Sequence, residues 1–458
     1  MVIASIDLQG GKVVQLKQGS ELMLERDNAL SLAEEFDRYG EVAVIDLDAA
    51  LGTGSNQELI GPLLRKARCR VGGGLRTPER ARELVAAGAE KVIVGSRALR
   101  KGGEFGVDEE FLARMAGAVG RERLIVAVDA RAAPAPAGRG SGAPEGGFAQ
   151  AASSSGYEIV VDGWKTPTGL DLIETALAVE KFCGEILFTC VDREGTLSGI
   201  DLAPVRALRA ALSCGITAAG GVSTLEEIEA IAALGCDVQL GMALYTGKIS
   251  LADCFVRSLN WEKGAAFKPG AAPGAGAAPP LLPLIAQSPD GQVLMTGFAG
   301  REAVAETFKR GNLCFYSRTR HTLWMKGEHS GNTLKLLRMR ADCDRDALLA
   351  TVEPAGPVCH TGAFSCFETG RRYTLEFLQA IIAGRFRDPR PGSYTATLDD
   401  ELVREKVMEE AEELCQAQTR DELVWEAADL LYFATVLLTR AGVSVAEVLN
   451  ELDRRHKK

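Results

Sequence analysis

The sequence has no excess of positive charge: 52 Lys and Arg stand against 62 Asp and Glu, a formal net charge of −10. That balance argues against nucleic acid or an anionic membrane as the main partner, although a single site can still be locally basic. No apolar run approaches the roughly 18 residues that span a bilayer. The first residues, MVIASIDLQGG, read as a strand and a turn with no basic stretch ahead of them, so no secretory signal is expected. An even, closely spaced cysteine set is also missing. The 11 cysteines are odd in number and scattered, which suits a reducing cytoplasmic compartment better than a disulfide framework. What is present is 458 residues, 46% hydrophobic and 25% charged, with 50 glycines. That length and composition predict two to four globular domains handling a metabolite.

Composition divides the chain. Residues 264–280 are rich in Gly, Ala and Pro without apolar periodicity, and read as a linker. Before them, in 1–263, short β-like runs alternate with amphipathic helical runs. After them, 281–370 holds β-like runs (QVLMTGF, LCFYSR, TLKLLRMRA, ALLATVEP), the mark of a small, mainly β or α+β domain. From 371 to 458 the pattern is helical. The first region also repeats itself. VGGGLRTPERARELVAAGAEKVIVGSRAL, from Val71, aligns with AAGGVSTLEEIEAIAALGCDVQLGMAL, from Ala218. Thr77 matches Thr224 and Gly88 matches Gly235 at one common offset. Asp7 matches Asp129 at a smaller offset, and the low-complexity stretch 133–156 makes up the difference as an insertion in the second half. Two half-barrels, each opening on a strand that ends in Asp, predict a (β/α)8 barrel.

In such barrels the C-terminal strand ends carry the chemistry. They would offer Asp7 and Asp129 on opposite sides of the mouth. Gly73, Gly74 and Gly95 in one half, and Gly220, Gly221 and Gly241 in the other, would present bare backbone N–H groups to an anion. A duplicated anion site flanking two carboxylates suggests a substrate with a phosphate at each end and acid–base work between them. The alternative is that the glycines only make tight turns and the aspartates only cap helices. IDLQGGKVVQLKQG, VIDLDAALGTGSN, DGWK, DREGTLSG and GMALYTGKISL, with the two glycine motifs, resemble the histidine-pathway isomerase that converts ProFAR to PRFAR. That resemblance covers Met1 to about Trp261. It implies that Asp7 and Asp129 are the acid–base pair of an Amadori rearrangement. Gln15 departs from it, standing where the family usually has Arg. The insertion departs too, following Asp129 in the loop expected to close over substrate.

The stretch DCDRDALLATVEPAGPVCHTGAFSC, Asp342 to Cys366, mixes two kinds of metal ligand. Reading ALLATVEP as a strand extended back through RADCDRD puts Asp342, Asp344 and Asp346 on one face and Cys343 on the other. Hard carboxylates suit Mg²⁺ and soft thiolates suit Zn²⁺. Cys343, Cys359 and Cys366 leave a fourth position for water, as a catalytic zinc requires. A calcium loop is a poorer reading, since Ala347 stands where such a loop needs Gly. An exposed acidic strand with buried free cysteines is the plainer alternative. With FYSRTRHTLWMKGEHSGNTL and PAGPVCHTGAFSCF, residues Leu281 to Phe367 resemble phosphoribosyl-AMP cyclohydrolase. The resemblance implies Zn²⁺ on Cys343, Cys359 and Cys366, shared across a homodimer, and Mg²⁺ on Asp342, Asp344 and Asp346. It also implies hydrolytic opening of the adenine ring at C6, with His360 either carrying the proton or orienting the site.

In the tail, REKVMEEAEELCQ and ELVWEAADLLYFATVLL read as paired amphipathic helices. Glu409, Glu410 and Glu413 crowd one face, and Glu426 and Asp429 sit on the next helix. Like charges at that spacing cost a few tenths of a kcal/mol per pair, which a shared divalent cation would relieve; a solvated acidic face is the alternative. With GSYTA before it, the segment from about Tyr373 to His456 resembles phosphoribosyl-ATP pyrophosphohydrolase, with Mg²⁺ implied on the five carboxylates. Thr397 replaces a Lys common in that family, and Lys406 is a nearby cation. The three resemblances together imply adjoining steps of histidine biosynthesis, with phosphoribosyl-ATP, phosphoribosyl-AMP and ProFAR as substrates. Two alternatives stay open: a barrel that is only a docking or dimerisation scaffold, and a tail that is a general nucleoside triphosphate pyrophosphatase.

Overall fold

The computed structural model describes residues 1–100, 105–133, 155–264, 279–367, 370–389 and 391–456. It divides into two units: Met1–Ala286 with Thr296–Ala355, and Gln287–Met295 with Gly356–Lys458. The division falls inside 281–370. Most of the linker 264–280 and of the insertion 133–156 lies outside the described residues.

In the first unit the alternating pattern forms eight parallel strands: Val2–Gln9, Val42–Asp46, Cys69–Gly72, Lys91–Val94, Leu124–Ala132, Glu185–Cys190, Gly215–Ala219 and Asp237–Leu240. Each pairs with its sequence neighbour. The eighth pairs with the first and the fourth with the fifth, so the sheet closes. This is the expected (β/α)8 barrel. The strands read as near-continuous apolar runs because helices cover them outside and side chains fill them inside. Ile93, Ile125, Leu187 and Ala219 pack the interior, while residues such as Val44, Val92, Val126 and Phe188 face the helices. The repeat is visible in the caps. Thr77 accepts from the Arg80 N–H, and Thr224 accepts from the Glu227 N–H in a full capping box. Such a side-chain cap is worth about 1 kcal/mol.

Beneath the apolar layer, at the end where the strands begin, lies a charged one. Arg70 is fully buried. Its Nε donates to Glu41 Oε2 at 3.0 Å and its guanidinium also pairs with Glu185. Lys91 Nζ reaches the other Glu185 oxygen at 2.7 Å. These cations outweigh burial and hold the Glu185 carboxyl down at about 2. The network joins residues of the third, fourth and sixth strands, and so bridges the two halves of the repeat.

The insertion sits on a hairpin stem. The fifth strand runs on past Asp129 to Ala132 and pairs antiparallel with Tyr157–Val161, which in turn pairs with Thr166–Asp171. Beyond the barrel, a four-stranded sheet follows the order Val293–Ala299, Leu282–Gln287, Leu348–Pro354, Leu334–Ala341. The helix Arg301–Arg310 beside it packs on the barrel within the first unit: the Phe308 ring lies 4.4 Å from the Tyr39 ring and 5.3 Å from that of Phe255. Arg338 Nε meets Asp37 Oδ2 at 2.8 Å.

One expectation fails here. The strand Leu334–Ala341 stops at Ala341 and its antiparallel partner begins at Leu348. Asp342–Ala347 is therefore a turn, and alternation does not set its side chains. Asp342 Oδ1 accepts the N–H groups of Asp346 and Ala347 at 3.0 and 3.1 Å. Arg345 takes φ 63°. Aspartate side chains that bond the backbone ahead of them favour turns over ladders.

In the second unit, helices Leu375–Arg387, Asp400–Gln416, Arg420–Arg440 and Val445–His456 form an all-α domain. Its core is Leu378, Ile382, Leu398, Val403, Phe433 and Val436. Thr419 and Glu422 make a capping box at the start of the longest helix. Among the described residues, no helix is long and apolar enough to cross a membrane.

Candidate active sites

The barrel mouth encloses a cavity of about 790 Å³ at the C-terminal strand ends, lined by Asp7, Asp129, Glu194 and all six glycines named from the sequence. Asp7 opens to the cavity but is withdrawn from bulk water, which pushes its carboxyl up to about 6 against the hydrogen bond from Ser5 Oγ at 2.7 Å. Desolvation raises Asp129 as well, opposed by hydrogen bonds from Thr189 and Trp164. Glu194 was missed by the sequence reading. Burial, then Asp7 and Asp129, push it to about 7. Its signal was its place in DREGTLSG, directly after the sixth strand. The cavity thus holds three carboxyl groups raised by burial, Asp7 to about 6 and Glu194 to about 7, and carboxyls shifted upward in a cleft suit acid–base catalysis.

The glycine turns are built for close approach of backbone. A Cβ on Gly73 would fall 2.1 Å from the Asp46 carbonyl oxygen, and one on Gly220 2.4 Å from that of Cys190; both have φ above 90°. Only glycine fits there. The two halves differ in charge, however. Arg76, Arg97 and Arg100 line the cavity on the first half's side, and among the described residues no Lys or Arg of the second half does. Gln15 is buried beside Gly241, whose Cβ would lie 2.6 Å from Gln15 Oε1. A neutral amide therefore stands at the second turn, without the charge or fork of a guanidinium. Trp164 closes over Gly19 on the rim.

The turn Asp342–Ala347 gathers the three carboxylates although it is no strand: Asp342, Asp344 and Asp346 each place an oxygen within 4.8 Å of the others. Lys263 Nζ already pairs with Asp344 and lies 3.6 Å from Asp346 Oδ2. A cation is accepted at that spot. Its hydrogen bond holds the Asp344 carboxyl below the usual range. Hard oxygens around a cation-accepting locus fit Mg²⁺.

Cys343 is exposed on the same turn, in the first unit. Cys359 and Cys366 belong to the second. The Thr361 hydroxyl donates to Cys359 Sγ at 3.1 Å. That bond, with backbone N–H groups and Cys366, lowers the Cys359 thiol, which favours the thiolate a soft metal needs. His360 Nδ1 lies 3.8 Å from the same sulfur.

In the helical unit Glu410, Glu426 and Asp429 come together, again within 4.8 Å. Glu410 is buried, and burial, Asp429 and Glu413 push its carboxyl up; Glu413 acts likewise on Glu426. This unrelieved repulsion is what a divalent ion would neutralise. Glu413 thus borders the cluster. Glu409, the fifth candidate, is drawn off instead by Lys406 at 2.6 Å.

Three protein families match in order along the chain: histidine biosynthesis protein over residues 1–250, phosphoribosyl-AMP cyclohydrolase over 295–368 and phosphoribosyl-ATP pyrophosphohydrolase over 375–456. The chain is also similar to the histidine biosynthesis bifunctional protein HisIE of several organisms. That of Vibrio vulnificus is 42% identical over 189 residues, 39% of this chain and 90% of the relative. That of Xanthomonas campestris is 40% identical over 207 residues, 44% and 94%. That of Pyrococcus furiosus is 37% identical over 217 residues, 44% and 97%.

Proposed function

This chain belongs to the histidine biosynthesis protein family and carries cyclohydrolase and pyrophosphohydrolase domains; on that premise we propose that it performs three successive steps. The helical unit hydrolyses phosphoribosyl-ATP to phosphoribosyl-AMP and pyrophosphate, the middle domain opens the adenine ring, and the barrel isomerises ProFAR to PRFAR. All three would take place in the cytoplasm. The observation that carries the third step is the pair Asp7 and Asp129, desolvated at equivalent strand ends between glycine turns. A scaffold needs none of these, since barrel stability rests on the packed interior.

In the barrel, Asp7 and Asp129 exchange protons with opposite sides of the bound aminoaldose. Glu194, held near neutrality, keeps a third proton in reserve between them. The Gly73–Gly74 and Gly220–Gly221 turns hold the two phosphates. Arg76, Arg97 and Arg100 add positive charge on the first half's side of the cavity.

In the middle domain Cys343, Cys359 and Cys366 would hold Zn²⁺, shared within a homodimer, which supplies an activated water when bound. Thr361 keeps Cys359 in ligating form, and His360 is placed to move a proton beside it. Asp342, Asp344 and Asp346 would hold Mg²⁺. In the tail, Glu410, Glu426 and Asp429 would hold the Mg²⁺ that orients the triphosphate, with Glu413 at the border. One incubation of purified protein with phosphoribosyl-ATP, Mg²⁺ and Zn²⁺, with products resolved over time, tests the whole. PRFAR should appear after transient phosphoribosyl-AMP and ProFAR. Arrest at ProFAR would reduce the barrel to a scaffold. Equal turnover of ordinary nucleoside triphosphates would make the tail a general pyrophosphatase.

A further inference from the structure

The turn that gathers Asp342, Asp344 and Asp346 is held to the barrel by two side chains. Arg345, between two of the carboxylates, points away from them. Its Nη1 donates to the Ala232 carbonyl at 3.1 Å. Its Nη2 donates to the Cys236 carbonyl and to Asp237 Oδ1, both at 2.8 Å. Its own carbonyl accepts the Asn260 N–H, also at 2.8 Å. Only 12% of its side chain is exposed. Asp237 begins the eighth strand, so this clamp sits on the end of the barrel opposite the cavity. Three residues on from Asn260, in the last described turn before residues 265–278, Lys263 sets its ammonium on Asp344 and near Asp346.

We propose that Lys263 is a built-in counter-cation of the carboxylate turn, which a divalent ion must displace, and that Arg345 holds the turn in ligating shape by anchoring it to the barrel. The proposal rests on the reading of this turn as the Mg²⁺ site. The carboxylate oxygens cannot serve an ammonium and a divalent ion at once, because each would place its charge at the same spot. Expelling Lys263 therefore opposes metal binding by the strength of the ion pair. Arg345 works in the opposite sense. Its left-handed backbone bends the chain so that Asp344 and Asp346 fall on the side of Asp342, and its guanidinium locks that bend against three barrel acceptors. Preorganised ligands bind more tightly than ligands that must first be ordered. The barrel thus becomes a positioning element for ring opening, apart from any isomerisation at its other end.

The two residues predict opposite signs. Mn²⁺ binding to the full-length protein, read by the loss of the free-ion paramagnetic resonance signal, gives the measurement. Binding assigned to the turn is the part that Asp344→Asn abolishes. Lys263→Gln should bind Mn²⁺ there roughly fivefold more tightly, the factor an exposed ion pair provides, while Lys263→Arg, which keeps the charge, should stay near wild type. Arg345→Met keeps the same backbone demand but cuts the clamp, and should bind several-fold more weakly. For ring opening, the apparent Mg²⁺ KM should move in the same directions. Equal Mn²⁺ affinity in wild type, Lys263→Gln and Arg345→Met, with Asp344-dependent binding intact, overturns the proposal and leaves the metal site standing. No Asp344-dependent binding in any of them removes the metal site and the proposal with it.

Discussion

Two groups of three carboxylates lie in the same unit and have opposite electrostatic fates. Asp7, Asp129 and Glu194 face a cavity that withholds water, and all three are pushed toward neutrality. Asp342, Asp344 and Asp346 ride an exposed turn, and the Lys263 ammonium keeps Asp344 ionised. The functional group is the same; the surroundings decide its use. A carboxyl that gains and loses a proton near pH 7 suits proton transfer, and one that stays charged suits a cation.

The sharpest way to break that comparison is to neutralise one member of the barrel group. Asp7→Asn or Asp129→Asn should each lower ProFAR isomerisation by roughly 10²–10⁴-fold, the worth of a positioned proton-transfer group. Ring opening by the same preparations should be unchanged. Wild-type isomerisation in either variant would strip the barrel carboxylates of their role.

Metal exchange provides the second test. Asp344→Asn should weaken divalent binding at the turn by more than the roughly 10–100-fold that loss of an outer-shell partner costs. It should leave isomerisation alone. Calorimetric titration that shows unaltered Mg²⁺ affinity would make the turn an ordinary acidic surface.

A third test uses pH. Isomerisation (kcat/KM) should fall about tenfold per unit as pH drops below about 6, because the base must be ionised. Glu194→Gln should remove any further bend near pH 7. The stability effect has the opposite sign. Folded Asp7 holds its proton up to about 6, against 3.8 for the unfolded group, so its contribution is fully present below 3.8 and is lost as pH rises through 6. Asp7→Asn should therefore melt above wild type at pH 7.5, and the gap should narrow as pH falls toward 4.

The smallest effect belongs to the tail. Glu410→Gln should abolish pyrophosphate release, yet in metal-free buffer its stability should rise by only a few tenths of a kcal/mol, as like-charge repulsion is relieved. A drop in melting temperature on removing this carboxyl would mean that Glu410 is held by a partner and is not merely crowded.

Much of this was legible in the sequence, and the failures have physical causes. The barrel could be read because a duplicated pattern fixes topology: the offset between Thr77 and Thr224 places two halves in register. Asp7 and Asp129 followed from their positions at strand ends. The turn Asp342–Ala347 was misread as strand because alternating acids mimic the period of a sheet. What decided it was local: Asp342 bonding the N–H groups of Asp346 and Ala347. The grip of Arg345 and Lys263 left no trace in the sequence, since it joins residues far apart in the chain through carbonyls that any residue could supply. Glu409 stands with its neighbours by helical spacing and by the resemblance to the pyrophosphohydrolases, and in the structure it pairs with Lys406.

The charged layer under the barrel has a consequence for how the domain could be taken apart. Glu185 belongs to the second half, while both cations that neutralise it, Arg70 and Lys91, belong to the first, where Arg70 also keeps Glu41. A gene cut between residues 123 and 124 would leave the second fragment with Glu185 stripped of both its cations, and leaving one buried charge alone costs about 3–5 kcal/mol. The second fragment should not stand as a soluble half-barrel. Produced together, they should find each other and restore the cylinder, with the Arg70–Glu185 pair acting as the latch between them.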